Sequence, residues 1–417
     1  MKNNIFNFIK IFIVLLLIAL FIYKINGNKN SEPSNLINYS VDESKTANVT
    51  EIFFYGNHFN IKGNIDNIYS NLEQISFYIV SIDKKYEYNY VLNYDVNDNI
   101  IYFNSSNLLN EGIILDGVNI NEYNCYIKIL DNNSQYIYEI NNQTKYNDFT
   151  YYSIFENGNN KKIQFLSSNG LILNVSLNKD DVYDIIIDPG HGGKDLGACY
   201  NKICETRYTL LLSNLLKSKL EKLGYKVALT RDSDIYLEKY GVNSRVEKVY
   251  KSKAKILISI HLNSTYSKLD GFEVYTSNNI NLDFARNIVS NLKSIGGLNT
   301  SNNSHFKVED GIYSRTFSST DVIDANKNFV YPNVSTNTNY YFMIRETGGY
   351  MAGAYVDGRD GNGENIYRNN NVGIESYILE LGYINNPDNI NEIENNKEKY
   401  MNNLAETIDN YLKKKSN

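Results

Sequence analysis

Two short apolar runs constrain this fold most: Tyr183–Ile187 and Ile256–Ile260 both read as buried strands, and each stops abruptly near a histidine. The first runs into Asp188-Pro189-Gly190-His191-Gly192-Gly193, where proline and glycine end the strand and small neighbours let an ion or substrate approach closely. The second ends in His261-Leu262-Asn263-Ser264. Between them, Leu212, Leu215, Leu216, Leu220 and Leu223 recur at helical spacing after Glu205 and before the stop signal Gly224. A strand at Lys226–Thr230 and a helix around Asn243–Lys251 continue the alternation, and a strand Phe272–Thr276 and a helix near Leu282–Leu292 follow. An α/β domain over residues 181–415 is therefore expected. Both histidines fall at the carboxyl ends of strands, where open α/β sheets place their ligands.

The 417 residues exceed one ordinary domain, and an apolar fraction of 42% suffices for more than one core. From residue 48 to 178 the pattern changes to short runs dense in Ile, Tyr, Phe and Val, such as Gln74–Ile82, Tyr86–Tyr94, Tyr123–Leu130 and Lys162–Leu166. This predicts an antiparallel β-rich domain with turn spacing suited to a sandwich. Its histidine, His58, is expected to be packed or solvated. Ahead of it, residues 5–23 are long and apolar enough to span or nearly span a membrane, with Lys2 and Lys10 on the side that favours a cytoplasmic N-terminus. A signal anchor or signal peptide over residues 1–27, a polar linker over 28–47 and export of the rest are expected. A net charge of −6 is modest for this length and gives no reason to expect nucleic acid as a partner. Cys199 and Cys204 suit one bridged loop or two free thiols, and spacing alone does not choose.

Only four histidines occur in the chain, and two of them take equivalent positions, with Glu205 opening the helix after the first. Two imidazoles and a carboxylate make the ligand set of a catalytic zinc, which leaves a fourth position for water, whereas structural zinc is usually closed by cysteines. His191, Glu205 and His261 are accordingly the candidate metal ligands, and Zn2+ is the candidate cofactor. Hydrolysis also needs a group to take the water's proton and hand it to the leaving nitrogen. Glu380 is the candidate for that work, because its flanks in Gly373–Asn386 are apolar. A carboxylate in a strand fit for burial either pairs with a cation or does chemistry, since leaving it unpaired is costly. Glu375 is the weaker rival.

Ile-Ile-Ile-Asp-Pro-Gly-His-Gly-Gly at 185–193, Glu205, Leu-Thr-Arg at 229–231, Arg245, Ile-Ser-Ile-His-Leu-Asn-Ser at 258–264 and Leu-Glu-Leu-Gly-Tyr-Ile-Asn-Asn at 379–386 are similar to those of a known family. Over about Asp184–Tyr411 the chain resembles the zinc-dependent N-acetylmuramoyl-L-alanine amidases of type 3, which are cell-wall hydrolases. The resemblance implies a twisted, mostly parallel sheet flanked by helices, zinc on His191, Glu205 and His261, and Glu380 as general base and acid. It implies peptidoglycan as substrate, both glycan strand and stem peptide, cut at the amide between N-acetylmuramic acid and L-alanine. Arg231 and Arg245 match family positions and are expected to be structural, while Asn263 is expected either to support the ligands or contact the substrate, or to have a structural role. The exported protein would sit on the membrane through residues 5–23 with its catalytic domain outside, or be secreted to the cell wall. A catalytically silent or regulated wall-binding protein, or a zinc peptidase cutting another stem-peptide bond, are the alternatives. The absence of His-Glu-x-x-His argues against the common metalloprotease arrangement.

One departure from the family pattern is a long stretch at about 299–371, with Tyr340-Tyr341-Phe342, Gly348-Gly349 and a glycine- and aspartate-rich piece at Asp357–Gly363. Such inserts serve as lids or binding loops, so it is expected to line or cover the groove and to be where a protein regulator would act. Asp357–Gly363 lacks the ligand order of a calcium loop and is expected to be a plain turn. His305, in the same insert, is expected at the surface.

Overall fold

The computed structural model describes residues 46–145, 148–152, 161–167, 170–265, 269–322, 335–349 and 371–416. The expected membrane segment, most of the polar linker and Asp357–Gly363 lie outside the described residues. Among those described, no helix is long and apolar enough to cross a membrane.

The first half is all β. A hairpin of β1 (Thr46–Tyr55) and β2 (His58–Asp66) is followed by β3 (Leu72–Ser81), β4 (Glu87–Asn97) and β5 (Ile100–Asn104). A second hairpin, β6 (Asn121–Asp131) and β7 (Ser134–Asn142), precedes a ribbon of β8 (Asp148–Tyr152), β9 (Lys161–Ser167) and β10 (Leu171–Leu177). Period-two patterning fixes which face turns inward: Tyr123, Cys125, Ile127 and Ile129 of β6 are buried at alternate positions. The expected sandwich is not what forms. Strand β7 returns to pair in parallel with β1, Ala47 opposite Ile140, and so closes the ring β1-β2-β5-β4-β3-β6-β7. Closure satisfies backbone groups that an open edge would expose, but it joins strands far apart in sequence, a pairing that local turn spacing does not encode. The ribbon leaves the ring through β10 on β6, and Phe165 stacks on Phe59 at 4.7 Å in the shared core. His58 is buried, with Nδ1 3.1 Å from the Gly112 carbonyl oxygen.

The second half alternates strand and helix: β11 (Ile185–Pro189), a small hairpin of β12 (Cys199–Tyr200) and β13 (Ile203–Cys204), α1 (Glu205–Lys222), β14 (Val227–Leu229), α2 (Arg245–Ser252) and β15 (Ile256–Asn263). After these come β16 (Glu273–Thr276), α3 (Asp283–Ser294), β17 (Lys307–Glu309), β18 (Ile312–Tyr313), α4 (Phe342–Thr347), β19 (Val372–Gly373), β20 (Glu375–Tyr383) and α5 (Pro387–Ser416). The sheet runs β14-β11-β15-β20-β16-β18-β17. Its first four strands are parallel, as β18 is to β16, while β16 is antiparallel to β20 and β17 to β18, so the sheet is mixed but mostly parallel, as expected. Residues 264–272 between β15 and β16 are too few for the crossover that a parallel strand requires, so the chain must reverse. The insert is not wholly a loop: β17 and β18 extend the sheet and α4 packs on it. Leu212, Leu216 and Leu220 of α1 pack with α5 and one face of the sheet in a core that α3 shares, each buried leucine contributing about 1.5–3 kcal/mol.

The halves meet at the amino edge of this sheet. Strand β19 pairs in parallel with β1 of the barrel, and the Phe54 amide donates to the Asn371 carbonyl at 2.7 Å. There the buried Glu375 carboxylate accepts from Asn110 at 3.0 Å, from Tyr411 at 2.7 Å and from Tyr377. The carboxyl edge, at the other end of the strands, is left to the histidines.

Candidate metal centre

His191 directly follows Gly190, just beyond β11, and takes a left-handed φ of 59°. Its turn is held by two arginines. Arg245 donates to the Asp188 carboxylate at 2.6 Å, to the Pro189 carbonyl at 2.8 Å and to the His191 carbonyl. Arg231, 1% exposed, donates to the carbonyls of Pro189 at 3.0 Å, Gly190 at 2.8 Å and Thr206 at 3.2 Å. These contacts fix the loop, and Gly190 leaves room for the imidazole, since a Cβ there would lie 2.3 Å from His261 Cε1 and force the ring aside.

Strand register brings the rest together. Strand β15 lies between β11 and β20, which places His261 opposite Glu380, and β16 places Glu273 on the other side of Glu380. Glu205, the first residue of α1 and 3% exposed, reaches both imidazoles: Oε2 lies 3.1 Å from His191 Nε2 and Oε1 lies 2.9 Å from His261 Nδ1. The Leu262 amide donates to Oε1 at 3.0 Å and the Ala198 amide to Oε2 at 3.2 Å. Burial works against the Glu205 charge, but hydrogen bonds and charge from both histidines outweigh it and hold this carboxyl well below the usual range. One ligand atom from each of His191, Glu205 and His261 lies within 4.8 Å of the others, a spacing one ion can bridge.

Glu380 differs from Glu205. Its Oε2 is closed off from solvent and has no hydrogen-bond partner. Burial first, then the charges of Glu205 and Glu273, push its pKa well above the ordinary carboxylate value. A carboxyl so placed takes up a proton readily, which suits a proton-transfer group beside the three ligands.

Two residues that sequence reasoning passed over belong to this cluster. Asp195 holds His191 Nδ1 at 2.9 and 3.0 Å, which leaves Nε2 for a metal and fixes the tautomer. Glu273, fully buried, accepts from Asn263 at 2.9 Å, Tyr275 at 2.6 Å, Asn303 at 3.2 Å and Tyr383. Its signal, a lone acid in the apolar run Phe272–Thr276, was of the same kind as that of Glu380. Asn263 thus contacts Glu273. His305 is exposed, and no metal-ligating group joins it among the described residues.

Comparison with known proteins bears on the same half of the chain. The N-acetylmuramoyl-L-alanine amidase family model Amidase_3 matches residues 185–414. The chain is 42% identical over 91 residues to the endolysin of Bacillus phage SPP1, covering 21% of this chain and 32% of that protein. It is 32% identical over 126 residues to the N-acetylmuramoyl-L-alanine amidase AmiC of Neisseria meningitidis, covering 28% and 30%. The catalytic domain of CwlV, an N-acetylmuramoyl-L-alanine amidase from Bacillus (Paenibacillus) polymyxa, aligns at 21% identity over 56% of this chain and 99% of that one, with a TM-score of 0.37. The matches span from 52% down to 30% of the length of the first curated relatives. With the family match extending over more than half of its residues, the chain belongs to the N-acetylmuramoyl-L-alanine amidase family.

Proposed function

We propose that the carboxyl-edge cluster is a zinc centre that cleaves peptidoglycan at the amide between N-acetylmuramic acid and the L-alanine of the stem peptide. One observation carries the reading: two imidazoles and a carboxylate converge within 4.8 Å next to a strand whose buried Glu380 Oε2 lacks a partner. His191 Nε2, the Glu205 carboxylate and His261 Nδ1 would hold the ion. The donor set fits zinc, which when bound supplies a Lewis acid that acidifies water and polarises a carbonyl. Asp195 orients His191, and the Leu262 and Ala198 amides orient Glu205. Glu380 takes the proton of the attacking water and delivers it to the leaving amide nitrogen. Its raised pKa suits both halves of that transfer.

The substrate places the catalytic half outside the cytoplasm, in keeping with the export segment expected at residues 5–23. The barrel is then an accessory domain carried with the catalytic one. Mass analysis of fragments released from purified peptidoglycan, with and without a chelator, tests the reading. Free stem peptides beginning with L-alanine, released only without chelator, are expected. Cleavage at another stem bond, or release that ignores the chelator, would overturn it.

A further inference from the structure

We infer that the Cys199–Cys204 disulfide is a positioning device for the metal centre, holding the carboxylate of Glu205 and, through Asp195, the imidazole of His191 in ligand geometry. The inference rests on the reading of His191, Glu205 and His261 as a metal site. Cys204 is bonded to Cys199 and is the residue immediately before Glu205. It is also the N-cap of α1, yet it makes no side-chain capping hydrogen bond, so the usual means of fixing a helix start is missing at the point where the ligand sits.

The bridge closes the hairpin β12–β13, which has only two residue pairs, Cys199 with Cys204 and Tyr200 with Ile203. Its turn residues, Asn201 and Lys202, both have positive φ, 48° and 65°. Such a turn suits a two-residue hairpin, but with only two residue pairs the hairpin is marginal by itself. The segment that enters it wraps the ligands. Glu205 donates its amide to the Ala198 carbonyl at 2.9 Å and accepts the Ala198 amide on Oε2, while the Thr206 amide donates to the Leu196 carbonyl at 3.2 Å. The Gly197 amide donates to Asp195 at 3.1 Å, and Asp195 in turn holds His191. Gly197, at φ 67°, leaves so little room that a Cβ would meet Glu205 Oε2 and His191 Cδ2 at 2.7 Å each. Residues 195–198 therefore touch both ligands, and the covalent link at 199 and 204 is what keeps that segment against α1. Cys199 is exposed, so a soluble thiol can reach the bond. An external dithiol would reduce it by two electrons and two protons, giving two cysteine thiols and a cyclic disulfide of the reagent.

The test compares three forms of the full-length chain: wild type, C199S/C204S, and folded metal-free wild type reduced with a dithiol, alkylated with iodoacetamide and freed of reagents. Thiol labelling of the unfolded, unreduced wild type should find one thiol, Cys125, and three after reduction. Zinc affinity is read by competition with a chromogenic chelator, and ligand geometry by the visible spectrum of the Co2+ form. Wild type should bind one ion per chain. Both bridgeless forms should bind it about 10-fold to 100-fold more weakly, the range seen when groups supporting metal ligands are lost, with an altered Co2+ spectrum and an unchanged helical signal. Affinity within twofold of wild type with the same spectrum would remove the positioning role and leave the metal-site reading standing. Wild type that takes up neither Zn2+ nor Co2+ would overturn both. Three thiols without reduction, or loss of the helical signal in both bridgeless forms, would also end the inference, the second because the bridge would then be holding the fold. If only the double variant fails to fold, the alkylated form decides.

Discussion

Strand β20 carries two glutamates, Glu375 buried and Glu380 half-buried with its Oε2 closed off, and the protein treats them in opposite ways. At the amino end, Glu375 is saturated by Asn110 from the barrel and by Tyr377 and Tyr411. At the carboxyl end, Glu380 keeps Oε2 without a partner and faces two further carboxylates, Glu205 and Glu273, whose charges raise its pKa. Both sit in the same apolar strand, five positions apart. Donors at one end make a joint between two halves of a molecule, and their absence at the other leaves a group able to exchange a proton. Burial of a carboxylate is thus no sign of catalysis until its partners are counted.

The sharpest way to break this contrast is Glu380→Gln, which keeps shape and removes the titratable oxygen. Activity on purified wall should fall by about 10²–10⁴-fold, the usual weight of a general acid–base group, while the thermal midpoint holds or rises because the carboxyl's repulsion from Glu205 and Glu273 is gone. Wild-type activity would take Glu380 out of the reaction.

Glu375→Ala should do the reverse. It strands three donors at the junction, and urea unfolding should show a loss of about 2–4 kcal/mol, with activity per folded molecule within about twofold of wild type. A loss of activity without a loss of stability would reverse the roles assigned to the two glutamates.

Asp195→Asn tests the supports of the carboxyl end. By weakening the hold on His191 Nδ1, it should lower zinc affinity by about 10-fold to 100-fold in chelator competition, with little change in stability. Equal affinity would make the contact incidental.

The smallest effect concerns the junction and pH. Lys255, beside Glu375, is buried with its ammonium 4.3 Å from the Tyr151 ring centre. Burial pushes its pKa down to about 7, against the pull of Asp116 and Asp184. Between about pH 7 and the ordinary lysine value of 10.5 the unfolded chain holds a proton that the folded one has released, so this group's contribution to stability rises with pH in that window and is lost as pH falls towards 7. The stability of wild type relative to Lys255→Met should therefore increase from pH 7.5 to 8.5, by at most about 1.4 kcal/mol. A pH-independent difference would show that the lysine keeps its charge at the junction.

Much of the C-terminal half was legible in the chain. A strand stopping just before His191, a helix opened by Glu205 and a strand carrying Glu380 stand where periodicity and stop signals put them, while β15 runs two residues past His261 to Asn263. The barrel was legible only as strands, and the insert's share in the sheet was not foreseen, because β17 and β18 are too short to show a period. Asp195 lay four residues from His191 without a pattern to mark it, and the Cys199–Cys204 bridge was one of two equal readings.

What the sequence by itself determined is the candidate ligands His191, Glu205 and His261, the candidate proton-transfer group Glu380 and the elements that carry them, because hydrophobic period, glycine and proline act over a few residues. Tertiary structure alone decided which strands are neighbours. Parallel register between β15 and β20 put His261 opposite Glu380, the return of β7 to β1 closed the barrel, and the β1–β19 pair gave Glu375 its partner from the barrel. These pairings are chosen by burying apolar faces and satisfying backbone hydrogen bonds between segments far apart in the chain, a balance that no local window contains.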